Sequence, residues 1–358
     1  MRPLLRCALA LGLLLPTAVV PAAPPTAART LSGELQGAPW RLDVPANWNG
    51  DLVMLAHGYE PVGVPRTAPM AANDSTVPLL DAGYAVAQSA YASQGWAVAD
   101  AITDMERLRQ QAVGELKHVR HTWMLGFSMG GAVTIASLER FPHHYAGGVS
   151  LCGANLSGEQ LASDLLTTLV AFDYFFPKVD GLPSAGLVSP EAAALPQGAL
   201  YQGIANALQR DQSHAALLAR RLQVSPDALA GTISLHALVL HDLATRSGGM
   251  PVGNPGVVYS GFGDDAAFNA GVRRIDPEPA AQAHVRNTLA MTGAMKRPLV
   301  IQFNHNDPTI VPHMQTVYPQ LAARAGARPL PRVLPPVGDG HCGFSGAQVV
   351  EALKAVQR

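Results

Sequence analysis

Short apolar runs separated by amphipathic stretches dominate the first part of the chain. Trp40 to Val44 alternates apolar and polar positions, the period of a strand with one covered face. Leu52 to Ala56 is apolar throughout, which predicts a strand covered on both faces of a parallel sheet. Tyr84 to Ser89, Thr122 to Leu125 and Gly147 to Leu151 read as further strands. Ala101, Met105, Leu108, Ala112 and Leu116 recur at helical spacing, with Asp104, Glu106, Arg107 and Arg109 on the opposite side. Gly131 to Arg140 reads as another helix, stopped by Pro142. Strands alternating with helices predict an α/β fold: a mostly parallel sheet with helices on both faces.

The alternation stops near Asn155 and resumes after Met295. The text between is Ala/Leu-rich and helical, divided by Pro177, Pro183, Gly248-Gly249 and Pro255-Gly256. Ser157 with Gln160 predicts a capping box, and Ser189 before Pro190 and Ser225 before Pro226 predict further helix starts. The expected organisation is a core of residues 30–154 and 296–358 with a helical cap, 155–295, inserted. Strand pattern returns at Leu299 to Phe303, then a helix near Gln315 to Ala325, a short strand at Arg332 to Leu334 and a closing helix from Gln348 to Val356. Within the insertion, Leu165, Leu166, Leu169, Phe172, Tyr174, Phe175 and Phe176 fit two roles: packing of the cap itself, or a lining for an apolar substrate group.

The start of the chain changes the compartment. Arg2 and Arg6 precede a continuous apolar run from Cys7 to Leu15, Pro16 ends it, and Ala22 and Ala23 follow. Residues 1–23 therefore read as a secretory signal peptide, too short to span a bilayer, and the mature protein is expected in the periplasm or outside the cell. No later stretch is apolar and long enough to form an integral membrane segment. The net charge of −1, without a basic cluster, argues against nucleic acid and anionic membrane surfaces as partners. Removing the leader leaves Cys152 and Cys342, for which one disulfide and two buried thiols fit equally.

Three short motifs carry chemistry. Gly126-Phe127-Ser128-Met129-Gly130 stands between a predicted strand and a predicted helix, the setting in which a G-x-S-x-G turn holds a serine hydroxyl clear of the sheet edge. Asp307 follows the Leu299–Phe303 strand in a loop stiffened by Pro308 and Pro312, and His341 sits in the glycine-rich loop Gly338 to Gly343. A serine needs a base within hydrogen-bond reach, and the base needs an acid to fix its tautomer. Asp339 is a local competitor for the acid. His57, His305 and His313 compete for the base. His143-His144, His305 and His313 lack the spacing of zinc ligands, so neither a metal nor another cofactor is expected.

In these motifs and their order the chain resembles the α/β-hydrolase family, over most of its length outside the cap. The resemblance implies Ser128 as nucleophile, His341 as base and Asp307 as acid. It implies oxyanion-hole N–H groups from Tyr59 and Met129, with His57 and Gly58 supporting the first. It implies an α/β-hydrolase fold in which Cys152 and Cys342 lie near the same sheet edge, so that a bridge between them would pin the histidine loop. An elbow serine is unlike the elbow aspartate of dehalogenases and epoxide hydrolases, and points to acyl transfer on a small-molecule or lipid-like carboxylic ester. A peptidase of the prolyl-oligopeptidase kind and a non-catalytic binding protein are the alternatives. The Trp48-Asn49-Gly50 link is similar to secreted tannase and feruloyl-esterase sequences, but Phe127 stands where those carry a cysteine.

Overall fold

The computed structural model describes residues 28–64 and 75–358, so the expected signal peptide lies outside the described residues. Strands β1 (Arg29–Leu35), β2 (Ala38–Val44), β3 (Asp51–Ala56), β4 (Ala85–Ser89), β5 (His121–Phe127), β6 (Gly147–Leu151), β7 (Leu299–Gln302) and β8 (Arg332–Val333) form one sheet. Their spatial order is β1-β2-β4-β3-β5-β6-β7-β8. β1 and β2 pair antiparallel, as do β2 and β4, and every pairing from β4 to β8 is parallel.

The unbroken apolar run of β3 is accounted for by what lies above and below it. Leu52, Met54 and Ala56 join one buried cluster, and Val53 and Leu55 join a second on the opposite face. β4, β5 and β7 divide their side chains in the same way. Helices α1 (Val77–Asp81), α2 (Val98–Leu116) and α3 (Met129–Arg140) belong to the first half of the chain. α2 covers the first face with Ala101, Met105, Leu108, Ala112 and Leu116, all buried, as their spacing predicts. Its charged residues depart from expectation. Asp104 and Glu106 are buried as well, because Asp104 accepts the Ala92 N–H and pairs with Arg107, while Glu106 pairs with Arg109 and His144.

Between β6 and β7 run α4 (Gly158–Phe175), α5 (Pro190–Ala193), α6 (Gln197–Arg210), α7 (Gln212–Leu222), α8 (Leu229–Ser247), α9 (Asp265–Gly271) and α10 (Pro279–Thr288). After β7 come α11 (Pro312–Gln315), α12 (Val317–Arg324) and α13 (Gly346–Val356), the last packing with α1 on the second face. Of the predicted helix starts, Ser189 is an N-cap accepting from the Ala192 N–H. Ser157 makes only half of its box: it accepts from the Gln160 N–H, but the Gln160 amide turns to Asp164 instead. Ser225 caps a turn through the Ala228 N–H, and the helix begins later, at Leu229. A complete capping box stands at Ser345 and Gln348, ahead of α13. In the apolar run of α4, Leu165, Leu166, Leu169, Phe172 and Phe176 are buried in the first cluster and Phe175 stacks on Phe268, while Phe172, Tyr174 and Phe176 also line a pocket.

β1 was not legible from the pattern. Its residues are mostly exposed, so no apolar period marks it. It forms because the Gln36-Gly37 turn, with φ of 54° and 80°, has the two positive angles of a tight hairpin and sets Leu35 opposite Ala38. Among the described residues, no helix is long and apolar enough to cross a membrane.

Candidate active site

β5 runs directly into Ser128, and α3 leaves from Met129. Ser128 holds φ 54° and ψ −120°, a conformation that L-residues rarely adopt and that the surroundings must impose. Two neighbours impose it. The Ser128 N–H donates to the Leu151 carbonyl at 3.1 Å, and the Ala154 N–H donates back to the Ser128 carbonyl at 3.0 Å. The flanking glycines allow the turn to be this tight: a Cβ on Gly126 would lie 1.9 Å from the Gly130 oxygen, and one on Gly130 would lie 2.1 Å from the Ala56 oxygen.

The serine hydroxyl donates to His341 Nε2 at 2.8 Å. His341 Nδ1 lies 3.0 Å from each oxygen of Asp307. A carboxylate only accepts, so the imidazole proton sits on Nδ1 and Nε2 is left to accept from the serine. The Asp307 side chain is 1% exposed and that of His341 28%, so the carboxylate is enclosed while the imidazole stays partly exposed. Asp307 is held in turn: its Oδ1 accepts the Thr309 N–H at 2.8 Å and the Ile310 N–H at 3.0 Å, an Asx turn that Pro308 stiffens.

The loops that carry Asp307 and His341 are laced together. The Val337 N–H donates to the Phe303 carbonyl, the His305 N–H to the Gly338 carbonyl and the Gly340 N–H to the His305 carbonyl. Asn304 adds a side-chain bond to the Val337 carbonyl at 2.7 Å. Asp339 is used elsewhere: it accepts from Asn306 at 2.7 Å. His305 contributes backbone to the same ladder, and His313 pairs with Gln223 and Asp164. Cys152 and Cys342 form a disulfide. It joins the segment that hydrogen-bonds Ser128 to the residue next to His341, two points 190 residues apart.

On the other side of the serine, Gly58 packs so closely that a Cβ there would lie 3.1 Å from the Ser128 Cβ. Tyr59 follows it, partly buried, and burial with the nearby Asp242 carboxylate pushes its phenol up to about 12. His57 is positioned by Tyr91: the rings stack at 4.0 Å, and the Tyr91 hydroxyl donates to the His57 carbonyl at 3.1 Å. Tyr91 was missed by sequence reasoning. Its only sequence signal is a place just past the end of β4; in the structure its backbone adopts φ 57°. Met129 opens α3, whose N-terminal amides and dipole favour negative charge beside Ser128. Among the described residues, no group of three or more His, Cys, Asp or Glu side chains is arranged to hold a metal ion.

Sheet order, helices on both faces and a serine turn between β5 and α3 define the class: the chain has the α/β-hydrolase fold. No protein-family model matches the sequence, and no curated protein does. Solved structures similar to it include an acylaminoacyl peptidase of Pyrococcus horikoshii, at 7% identity and TM-score 0.45, covering 92% of this chain and 40% of that one. A thermostable carboxyl esterase of Bacillus coagulans is similar at 12% identity and TM-score 0.46, over 93% of this chain and 97% of that one. The chain spans 35% to 41% of the length of such peptidases.

Proposed function

We propose that the protein is a serine hydrolase that cleaves carboxylic esters through an acyl-serine intermediate. The observation that carries this reading is the continuous chain from Ser128 Oγ to His341 Nε2, at 2.8 Å, and from Nδ1 to Asp307, at 3.0 Å. As Ser128 attacks the ester carbonyl, its proton passes to His341, and the buried Asp307 carboxylate stabilises the imidazolium. Negative charge develops on the carbonyl oxygen, where the N–H groups of Met129 and Tyr59 are the donors; each is worth about 3–4 kcal/mol of barrier in sites of this kind. His341 returns the proton to the departing alcohol, and water then repeats the sequence on the acyl-serine.

The disulfide supports an oxidising compartment, consistent with a protein secreted or held in the periplasm. An alcohol leaves more readily than an amine, so esters are the least demanding substrates for this arrangement. Hydrolysis of p-nitrophenyl esters by the wild type and its loss in Ser128→Ala, with parallel loss of fluorophosphonate labelling, is the expected result. Equal hydrolysis by both forms refutes the mechanism. A preference for aminoacyl anilides over acyl esters of matched size moves the assignment to a peptidase.

A further inference from the structure

The last two turns of α8 bring Asp242 and Arg246 from the helical insertion against the loop of residues 93–96 in the core. Asp242 Oδ2 accepts the Trp96 N–H at 2.5 Å and Arg246 Nε at 2.8 Å. Arg246 also donates to Ser93 Oγ and Asp100 Oδ2, each at 3.1 Å, and to the Gln94 carbonyl. Both side chains are largely enclosed, at 26% and 12% exposure for Arg246 and Asp242. Gly95 makes the approach possible: it holds φ 79°, and a Cβ there would lie 2.4 Å from Asp242 Oδ2.

The far side of this loop meets the segment beside the nucleophile. The Gly95 N–H donates to the Glu60 carbonyl at 2.8 Å, and the two residues form an isolated antiparallel bridge. Tyr59 therefore lies between Gly58, which packs on Ser128, and Glu60, which is bonded to a loop that α8 holds. Four of the five N–H groups of the Arg246 guanidinium already donate within the protein, so its main engagement is with the 93–96 loop, Asp100 and Asp242.

We propose that Arg246 and Asp242 are positioning residues: through residues 93–96 and Glu60 they fix where the Tyr59 N–H stands relative to Ser128. This rests on the acyl-transfer reading of Ser128. The helical insertion then takes part in building the oxyanion site from its own side of the junction. A donor that serves the developing oxyanion acts on the transition state and little on the bound ester, so displacing it lowers kcat and leaves KM nearly unchanged.

The test is steady-state hydrolysis of p-nitrophenyl butyrate by Arg246→Ala, Arg246→Lys and Asp242→Asn, with Arg286→Ala, an exposed cap residue, as control. Urea midpoints are measured on every variant. Complete removal of one oxyanion donor typically costs 10²–10³ in kcat, so displacing it is expected to cost about 10–100-fold in Arg246→Ala and Asp242→Asn. KM should move by less than about threefold, Arg246→Lys should recover part of kcat, and the control should match the wild type. Wild-type kcat in both Arg246→Ala and Asp242→Asn overturns the proposal. So does a loss that appears only in KM, or one that merely follows the unfolded fraction. Ser128→Ala run alongside separates the two levels: if it retains hydrolysis, the nucleophile assignment itself fails, whereas an inactive Ser128→Ala beside a fully active Arg246→Ala removes the positioning role alone.

Discussion

The rim of the sheet around Ser128 and the helical segment between β6 and β7 are held together by different means. At the rim, backbone does most of the holding. Ser128 is bonded through both its N–H and its carbonyl, the two glycines admit main chain at distances no side chain tolerates, and the 303–305 and 337–340 segments lace the Asp307 loop to the His341 loop. In the insertion, apolar faces do it: Phe268 is fully buried against Phe262 at 4.2 Å, Tyr174 at 4.9 Å and Tyr259 at 5.4 Å. Backbone devices fix atoms to fractions of an ångström, while an apolar cluster fixes volume and tolerates adjustment. Variants at the rim should therefore be read in rate, and variants within the insertion in stability.

The sharpest version of that contrast is Asp307→Asn. The asparagine oxygen can still accept from Thr309 and Ile310, but it no longer holds the imidazole in the required tautomer, and kcat should fall about 10⁴-fold with little change in urea midpoint. Unimpaired turnover would remove Asp307 from the chemistry. The disulfide comes next, because it belongs to both columns. Cys342→Ser releases a crosslink between residues 190 apart, worth up to about 5 kcal/mol by loop entropy, and should lower the urea midpoint as well as the rate. A rate loss with an unchanged midpoint would mean that the bridge serves geometry alone.

Phe268→Ala tests the other region. Removing this ring should cost about 3–5 kcal/mol of stability in denaturant titration. Turnover by the remaining folded protein should stay within about threefold of wild type, since none of the rings that pack on Phe268 belongs to the Ser128–His341–Asp307 array. A large kcat defect there would erase the distinction between the regions. The smallest effect is expected at Asp173, whose carboxyl burial pushes up to about 6 although it accepts the Leu187 N–H. The folded state favours the neutral acid, so its contribution is complete below about pH 4 and is lost as pH rises through 6. Asp173→Asn should therefore flatten the fall in stability between pH 4.5 and 7.5 by about 1–2 kcal/mol, measured by urea titration at each pH. An unchanged slope would place the titration elsewhere.

The same division explains what the sequence could disclose. Strands covered on two faces announce themselves, as Leu52 to Ala56 does, because water is excluded above and below. The elbow, the Asp307 loop and the glycines around His341 are short, local and chemically specific, so they stand out in the text. β1 does not, since an exposed edge strand needs no apolar period and is specified by its hairpin turn and its partner. Ser225 misleads because a Ser-Pro pair serves a turn as readily as a helix start. The charges of α2 mislead because ion pairing with Arg107 and Arg109 lets Asp104 and Glu106 sink into the core. Asp242, Arg246 and Tyr91 carry no motif at all. Their meaning comes from segments 34 to 153 residues away that only the folded chain brings to them.

The span between Ser128 and His341 is 213 residues, so their contact closes a long loop. No local segment, however well formed, can prefigure that contact, and closing so wide a circuit is entropically the slow part of any search. On the proposed mechanism, capture of a fluorophosphonate during renaturation should come after helicity has returned, once Ser128 and His341 have met.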